Sequence, residues 1–186
     1  MKIAPEGYPF VGVCGVLCAA AAALAAWVSG AAGLCWALTL LFAALTGFML
    51  YFFRDPERRV PQGAGPFFVS PADGRILAIR DVVEEKHCLA LRKEISIFMS
   101  PFNVHVNRAP CDGAVAVVQH NPGRYRAAYL DEASRSNENT EIVLDTDFGK
   151  LLLRQVAGFL ARRTVCRVAP GAQLAQGDRF GIIKFG

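Results

Sequence analysis

The sequence predicts a mainly β protein, in which a small β-barrel or β-sandwich domain follows a pair of apolar α-helices at the N-terminus. Three observations support this prediction. A long stretch near the N-terminus carries no charged residue, short β-type runs recur along the rest of the chain, and Gly or Pro separates those runs. The chain has 186 residues, which is enough for one modest domain in addition to two helices.

The charge-free stretch accounts for the two helices. Residues 7–53 contain no Asp, Glu, Lys or Arg, whereas 19 of the 20 basic and 15 of the 16 acidic residues lie from Arg54 onward. Within this stretch, residues 10–28 and 34–53 are each long enough to cross a hydrocarbon core as an α-helix. Residues 29–33 are predicted to form a tight connection between the two helices.

We therefore assign residues 1–53 as a membrane anchor, formed by one helical hairpin or two spans, and residues 54–186 as a separate β domain. Three arginines within residues 54–59 indicate, by the positive-inside rule, that this domain lies on the cytoplasmic side of the cell membrane. Two alternatives are a buried helical hairpin of a soluble protein and a hairpin that enters one leaflet without crossing. A charge-free run of this length seldom occurs in a soluble core.

The β domain begins after a linker, residues 61–71, in which Gly and Pro are frequent. Apolar and polar residues alternate in several of the runs that follow, which is the pattern of a half-buried strand. Helical periodicity is missing from this part of the sequence, apart from a turn around residues 158–163. The predicted strands are residues 75–79, 94–99, 114–119, 141–144, 150–156, 164–168 and 180–185.

The charge and cysteine content argue against several classes of function. The formal net charge of +4 is a mild excess without a dense basic run, which fits an anionic membrane surface better than nucleic acid. We therefore predict no nucleic-acid partner. The six cysteines form no Cys-x-x-Cys pair, and their spacing indicates neither a disulfide framework nor a metal site.

His105 and Asp73 are the residues that chemistry alone nominates as catalytic. His105 follows a Ser-Pro pair within a segment bounded by Pro110, and histidine is the side chain whose pKa is most easily moved across neutrality. Asp73 lies in a turn, residues 70–74, and is a candidate to orient that histidine. Both assignments have ordinary alternatives, because a lone histidine is often a structural hydrogen-bonding residue and a turn aspartate often caps its own backbone.

Several short motifs favour the catalytic interpretation of His105 and Asp73. In their order and spacing, they resemble the motifs of the phosphatidylserine decarboxylases, in the short form of that family, and the resemblance extends from about Arg54 to the end of the chain. The motifs are residues 70–75 (SPADGR), 98–110 (FMSPFNVHVNRAP), 137–139 (NEN), 155–158 (QVAG) with 161–163 (ARR), and 177–186 (GDRFGIIKFG).

This resemblance implies a large subunit made by self-cleavage. In the family, a precursor is cut between a glycine, here Gly186, and a serine that becomes a pyruvoyl group on a small subunit. The implied reaction converts phosphatidylserine to phosphatidylethanolamine and CO₂ through a Schiff base to that covalent group. The implied partners are the small subunit, phosphatidylserine and the membrane, with a homodimer of such heterodimers as a further expectation.

The resemblance also implies roles for individual residues. His105 is expected to take the serine proton during cleavage and to protonate the product of decarboxylation, with Asp73 fixing its tautomer. Longer bacterial members often carry a second histidine three residues later. This sequence has Arg108 there, so both duties are expected to fall on His105.

Four further residues are expected to contact the substrate. Phe98, Met99 and Phe102 are predicted to line a desolvated pocket that favours loss of CO₂, although ordinary packing inside the domain is an alternative for each of them. Asn137 is expected to bind the substrate because it begins the motif that resembles the family's Asn-Glu-Arg segment.

Two other classes of function remain open from the sequence. One is a membrane-tethered β-barrel binding module without catalysis. The other is a membrane-bound hydrolase that uses His105 and Asp73 with a nucleophile that no local motif identifies.

Overall fold

The structure is a computed structural model that describes residues 2–61, 67–129 and 136–186. Residues 62–66, which belong to the predicted linker, lie outside the described residues. The chain divides after Pro56 into two compact units, and each unit is described by itself.

The first unit is a helical hairpin closed by a short strand pair. Helix α1 covers Tyr8–Trp27 and helix α2 covers Ala32–Phe52, and a 3₁₀ turn at Ser29–Ala31 connects them. Strand β1, Lys2–Ile3, pairs antiparallel with strand β2, Arg54–Asp55. Both predicted helices and their tight connection are therefore confirmed, with shifts of two residues or fewer at their ends.

Aromatic packing holds the base of this hairpin together. Phe52 and Phe53 are almost fully buried, and the ring of Phe53 stacks on that of Phe10 with centroids 5.3 Å apart. Gly7 lies so close to Phe53 that a Cβ at Gly7 would stand 2.5 Å from the Cβ of Phe53. Elsewhere both helices expose large apolar side chains, and each is long and apolar enough to cross a membrane.

The second unit is built mainly of strands, as predicted. All seven predicted strands are present, although the strand expected at residues 164–168 ends at Cys166. Two further strands, β5 and β10, were not predicted because they have only three and two residues. The nine strands described in this unit are β3 Arg75–Glu84, β4 Ala90–Phe98, β5 Val106–Arg108, β6 Gly113–Asn121, β7 Asn139–Thr146, β8 Gly149–Val156, β9 Arg163–Cys166, β10 Gln173–Leu174 and β11 Arg179–Lys184.

These strands form three antiparallel sheets. The largest has the order β10-β6-β7-β8, the second has the order β5-β11-β9, and β3 and β4 form a long hairpin. The second sheet joins strands that are distant in sequence, with the last strand in the middle. Side chains from the first two sheets and the loop before β6 share one core, made of Ala109, Val115, Ile142, Leu144, Leu153, Leu174 and Phe180.

A buried carboxylate links the β3–β4 hairpin to the largest sheet. Glu141 on β7 is 5% exposed and accepts hydrogen bonds from Lys86 (2.7 Å) and His87 (3.1 Å) in the hairpin turn. Arg154 on β8 adds two more, at 3.1 and 2.7 Å. Burial by itself raises the pKa of Glu141, but the hydrogen bonds from Lys86, His87 and Arg154 and the charge of Arg154 outweigh it and lower the pKa to about 2.

We expect Glu141→Gln to lower the free energy of unfolding at pH 7 by about 3 kcal/mol, the order implied by a pKa lowered from 4.5 to about 2. Because the folded-state pKa is the lower one, this stabilisation is complete above the unfolded pKa and is lost as the pH falls toward 2. Denaturant unfolding at a series of acidic pH values should therefore show a flatter pH dependence for the variant.

The matched control is Asp81→Asn, which removes an exposed ion pair with Lys93 on the same hairpin and should change stability little. The lowered pKa of Glu141 would be contradicted if the free energy of unfolding depended on pH in the same way for the wild type and for Glu141→Gln, from pH 7 into this acidic range.

Candidate active site

The first two motifs lie against each other in the second unit. The backbone N–H of Arg108 donates to the carbonyl of Pro71 at 2.9 Å, which joins the SPADGR turn to the end of β5. At the other end of this turn, a Cβ at Gly74 would collide with the backbone carbonyl of Phe98. Only a glycine allows this approach, so the turn that carries Asp73 is fixed to the segment that carries His105.

His105 is a buried histidine whose tautomer is set by the backbone. It is 3% exposed, and its Nδ1 lies 3.0 Å from the carbonyl oxygen of Asn103. Because a carbonyl can only accept, Nδ1 carries the proton in the neutral ring and Nε2 carries the lone pair. The carbonyl of His105 accepts from the N–H of Ile183 at 3.2 Å, which places the histidine beside β11.

Asp73 has a different neighbour from the one that the sequence suggested. Its carboxylate accepts from Arg58 at 2.6 Å, and this ion pair is about half exposed. In this structure the contact to Nδ1 of His105 is made by the backbone carbonyl of Asn103. The motif pattern brings Asp73 and His105 into the same region, and their catalytic roles stay predictions.

Gly186 lies two residues beyond the end of β11, next to Arg162 and Arg163. Ile182 pairs with Val106 on β5, and Lys184 pairs with Arg163 on β9. A Cβ on Gly186 would stand 3.1 Å from the Cγ of Arg163 and 3.2 Å from the Cβ of Arg162. The β11 strand therefore runs past His105 and ends in a tight space against the two arginines.

The buried carboxylate of Glu138 contacts Arg163 directly and is connected to Arg162 through Tyr125. Glu138 is 2% exposed, and its Oε2 accepts from Tyr125 Oη at 2.9 Å and from Arg163 Nη1 at 3.0 Å. The guanidinium of Arg162 lies over the ring of Tyr125, 4.6 Å from its centroid. Sequence reasoning missed Tyr125, because it lies outside the motifs and only the fold brings it to this place.

The side chain of Asn137 connects two backbone segments by hydrogen bonds. It is 1% exposed, and its Nδ2 donates to the carbonyls of Arg126 and Ala157, both at 2.8 Å. Its Oδ1 accepts from the N–H of Arg126 at 3.0 Å. In this structure each polar atom of the amide bonds to the backbone, and contact with the substrate stays a prediction.

The three predicted lining residues differ in their surroundings. Phe98 meets the ring of Tyr129 edge-on, with centroids 6.3 Å apart, and Met99 Sδ lies 3.8 Å from the amide nitrogen of Asn107. Both are half-buried, whereas Phe102 is 66% exposed. Their role in binding the substrate stays a prediction.

Gln155 carries the one buried side-chain oxygen that lacks a partner among the described residues. Its Nε2 donates to Asn107 Oδ1 at 2.8 Å, and a Cβ on Gly181 would stand 2.7 Å from that Nε2. Asn107 lies on β5, two residues after His105. The interior next to the histidine thus offers an acceptor for a group from outside the described chain.

We expect Asn137→Asp to destabilise the second unit by about 3 kcal/mol, because a carboxylate loses two donated bonds and faces two carbonyl oxygens in a buried site. Thermal unfolding of the full chain measures the effect. Gln173→Glu makes the same amide-to-carboxylate change at an exposed strand position and is the control. An unchanged melting temperature for Asn137→Asp, together with weakened substrate binding, would instead support the substrate-contact hypothesis.

The sequence of this chain is similar to those of known proteins of one family. The family model described as Phosphatidylserine decarboxylase matches residues 45–186. A phosphatidylserine decarboxylase proenzyme of Nitratidesulfovibrio vulgaris is 40% identical over 192 residues, which covers 100% of this chain and 81% of that protein. Proenzymes with the same name from Symbiobacterium thermophilum and Aromatoleum aromaticum are 44% and 45% identical, and each comparison covers 99% of this chain and 81% of the relative.

Proposed function

This chain belongs to the phosphatidylserine decarboxylase family, and on that premise we propose that it is the large subunit of an enzyme that converts phosphatidylserine to phosphatidylethanolamine and CO₂. The observation that carries this proposal is the convergence of the motifs on one place. Buried His105 lies beside the strand that leads to Gly186, and the SPADGR turn and the two arginines flank the same sheet.

The residues around Gly186 fit a pyruvoyl group derived from the serine that follows it in the precursor. Gly186 lies close to both Arg162 and Arg163, His105 is buried with its Nδ1 bonded to the backbone, and Gln155 offers a carbonyl oxygen without a partner among the described residues. The group, carried by the small subunit, supplies a carbonyl that withdraws electrons from the substrate through its amine. The proenzyme names of the relatives are consistent with such processing.

His105 is the residue that moves protons in this proposal. With Nδ1–H held by the carbonyl of Asn103, Nε2 is the base that takes the proton of the serine hydroxyl as its oxygen attacks the carbonyl of Gly186. After maturation, Nε2 takes up a proton from solvent, and the resulting imidazolium donates that proton to the carbon that has lost CO₂ and returns to the neutral ring. Asp73 serves the cleavage step by leaving Arg58 and steadying the imidazolium.

We expect the full-length precursor to remain uncut when His105 or Asp73 is replaced by Ala, with the His105 variant the more severely affected. Gel electrophoresis and intact mass spectrometry follow the result, and only the wild type should yield a second peptide that reductive amination labels at its amino terminus. His120→Ala is the matched control, because His120 is exposed and bonds to Thr140 on the largest sheet. Normal cutting of both Ala variants would refute these roles.

The two apolar helices serve as the anchor in this proposal. Both pass the length and composition test for a membrane span, which many soluble core helices also pass. These helices, unlike buried core helices, leave most of their apolar side chains exposed, with Val16 at 69% and Leu40 at 72%. The arginines after α2 favour a cytoplasmic position for the β domain at the cell membrane.

Removing residues 1–53 from the precursor is expected to release the β domain from vesicles of mixed anionic phospholipids. The apolar area of the helices is the main source of membrane affinity, whereas each surface arginine adds only about 1 kcal/mol near anionic lipid. Co-sedimentation at low and high salt measures binding, and circular dichroism checks the fold. A truncated protein that sedimented fully with vesicles at high salt would contradict this role.

The same proposal extends to the assembly. The three sheets of the β domain close into a barrel or sandwich together with the small subunit, and two such heterodimers form a homodimer. Mass determination of the matured, detergent-solubilised enzyme distinguishes one heterodimer from two.

A further inference from the structure

We propose that Arg162 binds the phosphodiester of phosphatidylserine. This inference rests on the proposed function and assigns a specific part of the substrate to a specific residue. It comes from three features of the structure: the position of Arg162 next to Gly186, the different surroundings of the two adjacent arginines, and the electrostatic demands of losing CO₂.

The position of Arg162 matches the length of the head group. Its Cβ lies 3.2 Å from where a Cβ of Gly186 would stand, so its side chain begins beside the residue that precedes the reactive carbonyl. In phosphatidylserine, two carbons and one oxygen separate the amine from the phosphorus. When the amine is held at the residue after Gly186, the phosphate is therefore within reach of a long side chain that starts at this point.

The two arginines have different electrostatic surroundings. Arg163 donates from Nη1 to the buried carboxylate of Glu138 at 3.0 Å, so its charge is paired with that carboxylate. The guanidinium of Arg162 rests on the face of Tyr125 instead, 4.6 Å from the ring centroid. Such a contact occupies one face of the guanidinium group. The N–H groups lie in the plane of the guanidinium, along its edge, and this edge binds phosphate in a bidentate manner.

Glu138 and Tyr125 make this site rigid. The hydroxyl of Tyr125 donates to Glu138 at 2.9 Å, and the carbonyl of Glu138 accepts from the N–H of Ala157 at 2.8 Å. The ring under Arg162 is thereby fixed to the same carboxylate that holds Arg163. The phosphate-binding residue is thus positioned by buried groups, although its own side chain is exposed.

The chemistry favours the phosphate over the carboxylate as the partner of Arg162. An arginine that paired with the carboxylate would stabilise the charge that disappears when CO₂ leaves, and so would lower the ground state more than the transition state. The phosphate keeps its charge throughout the reaction. Binding it adds affinity without opposing the chemical step.

The test uses the full-length precursor, matured by its own cleavage, as wild type, Arg162→Ala, Arg162→Lys and Arg92→Ala. Arg92 is an exposed residue of β4 and is the matched control. Calorimetry measures the binding of glycerophosphoethanolamine, which has the phosphate and amine but no carboxylate, and of serine, which has the carboxylate and amine but no phosphate. Decarboxylation of phosphatidylserine in mixed micelles gives KM and kcat.

We expect Arg162→Ala to be cut normally, to bind glycerophosphoethanolamine about 10- to 100-fold more weakly and to raise KM by a similar factor, which is the usual range for one charge-assisted contact. The kcat and the binding of serine should change little. Arg162→Lys should recover part of the lost affinity, because it keeps the charge without the bidentate geometry. Arg92→Ala should match the wild type.

Three results would overturn the inference. Weaker serine binding with unchanged glycerophosphoethanolamine binding would assign Arg162 to the carboxylate, and unchanged binding of both would remove it from the substrate site. Failure of both Arg162 variants to be cut would assign it to maturation. If the wild type and Arg162→Ala differ in glycerophosphoethanolamine binding while the wild type fails to decarboxylate phosphatidylserine, the proposed function fails and the phosphate site stands.

Discussion

The site depends on one constraint, which is that β11 is hydrogen-bonded along both of its edges. On one side it pairs with β5, the strand that follows His105, and on the other it pairs with β9, the strand that begins at Arg163. A strand in the middle of a sheet has no freedom to slip, because a shift of one residue would exchange its two faces. The positions of His105 and Arg163 relative to β11 are therefore set by backbone pairing, and Gly186 follows two residues after the last paired residue.

The buried polar residues of the motifs divide into two kinds by their hydrogen bonds. Asn137 and Glu138 bond to partners within the chain, where their amide and carboxylate hold loops together. Gln155 retains a carbonyl oxygen without a partner among the described residues, whereas the His105 ring bonds through Nδ1 to the carbonyl of Asn103. A motif residue can thus be essential either because it builds the site or because it reacts there, and only the bonds distinguish the two cases.

Much of the fold could be predicted from simple patterns in the sequence. The parts that could not be predicted were missed for physical reasons. The charge-free stretch predicted the two helices, and the alternation around Ile142 predicted β7 within a few residues. Strand β5 is too short for any periodicity, and sequence separation hides the pairing of β11 with strands far away in the chain. The motif spacing identified the region of His105, but it gave no sign that the carbonyl of Asn103 would accept a hydrogen bond from the ring, or that Tyr125 would lie beneath Arg162.

The double pairing of β11 also bears on how long such an enzyme lasts. If the backbone is cut after Gly186, the bonds on both edges of β11 keep the new end of this chain next to His105. A reactive group made from the protein's own backbone in this way has no free form that a cell could supply again. Each molecule is then activated once, and damage to its carbonyl is permanent, so that catalytic capacity is renewed only by synthesis of new protein.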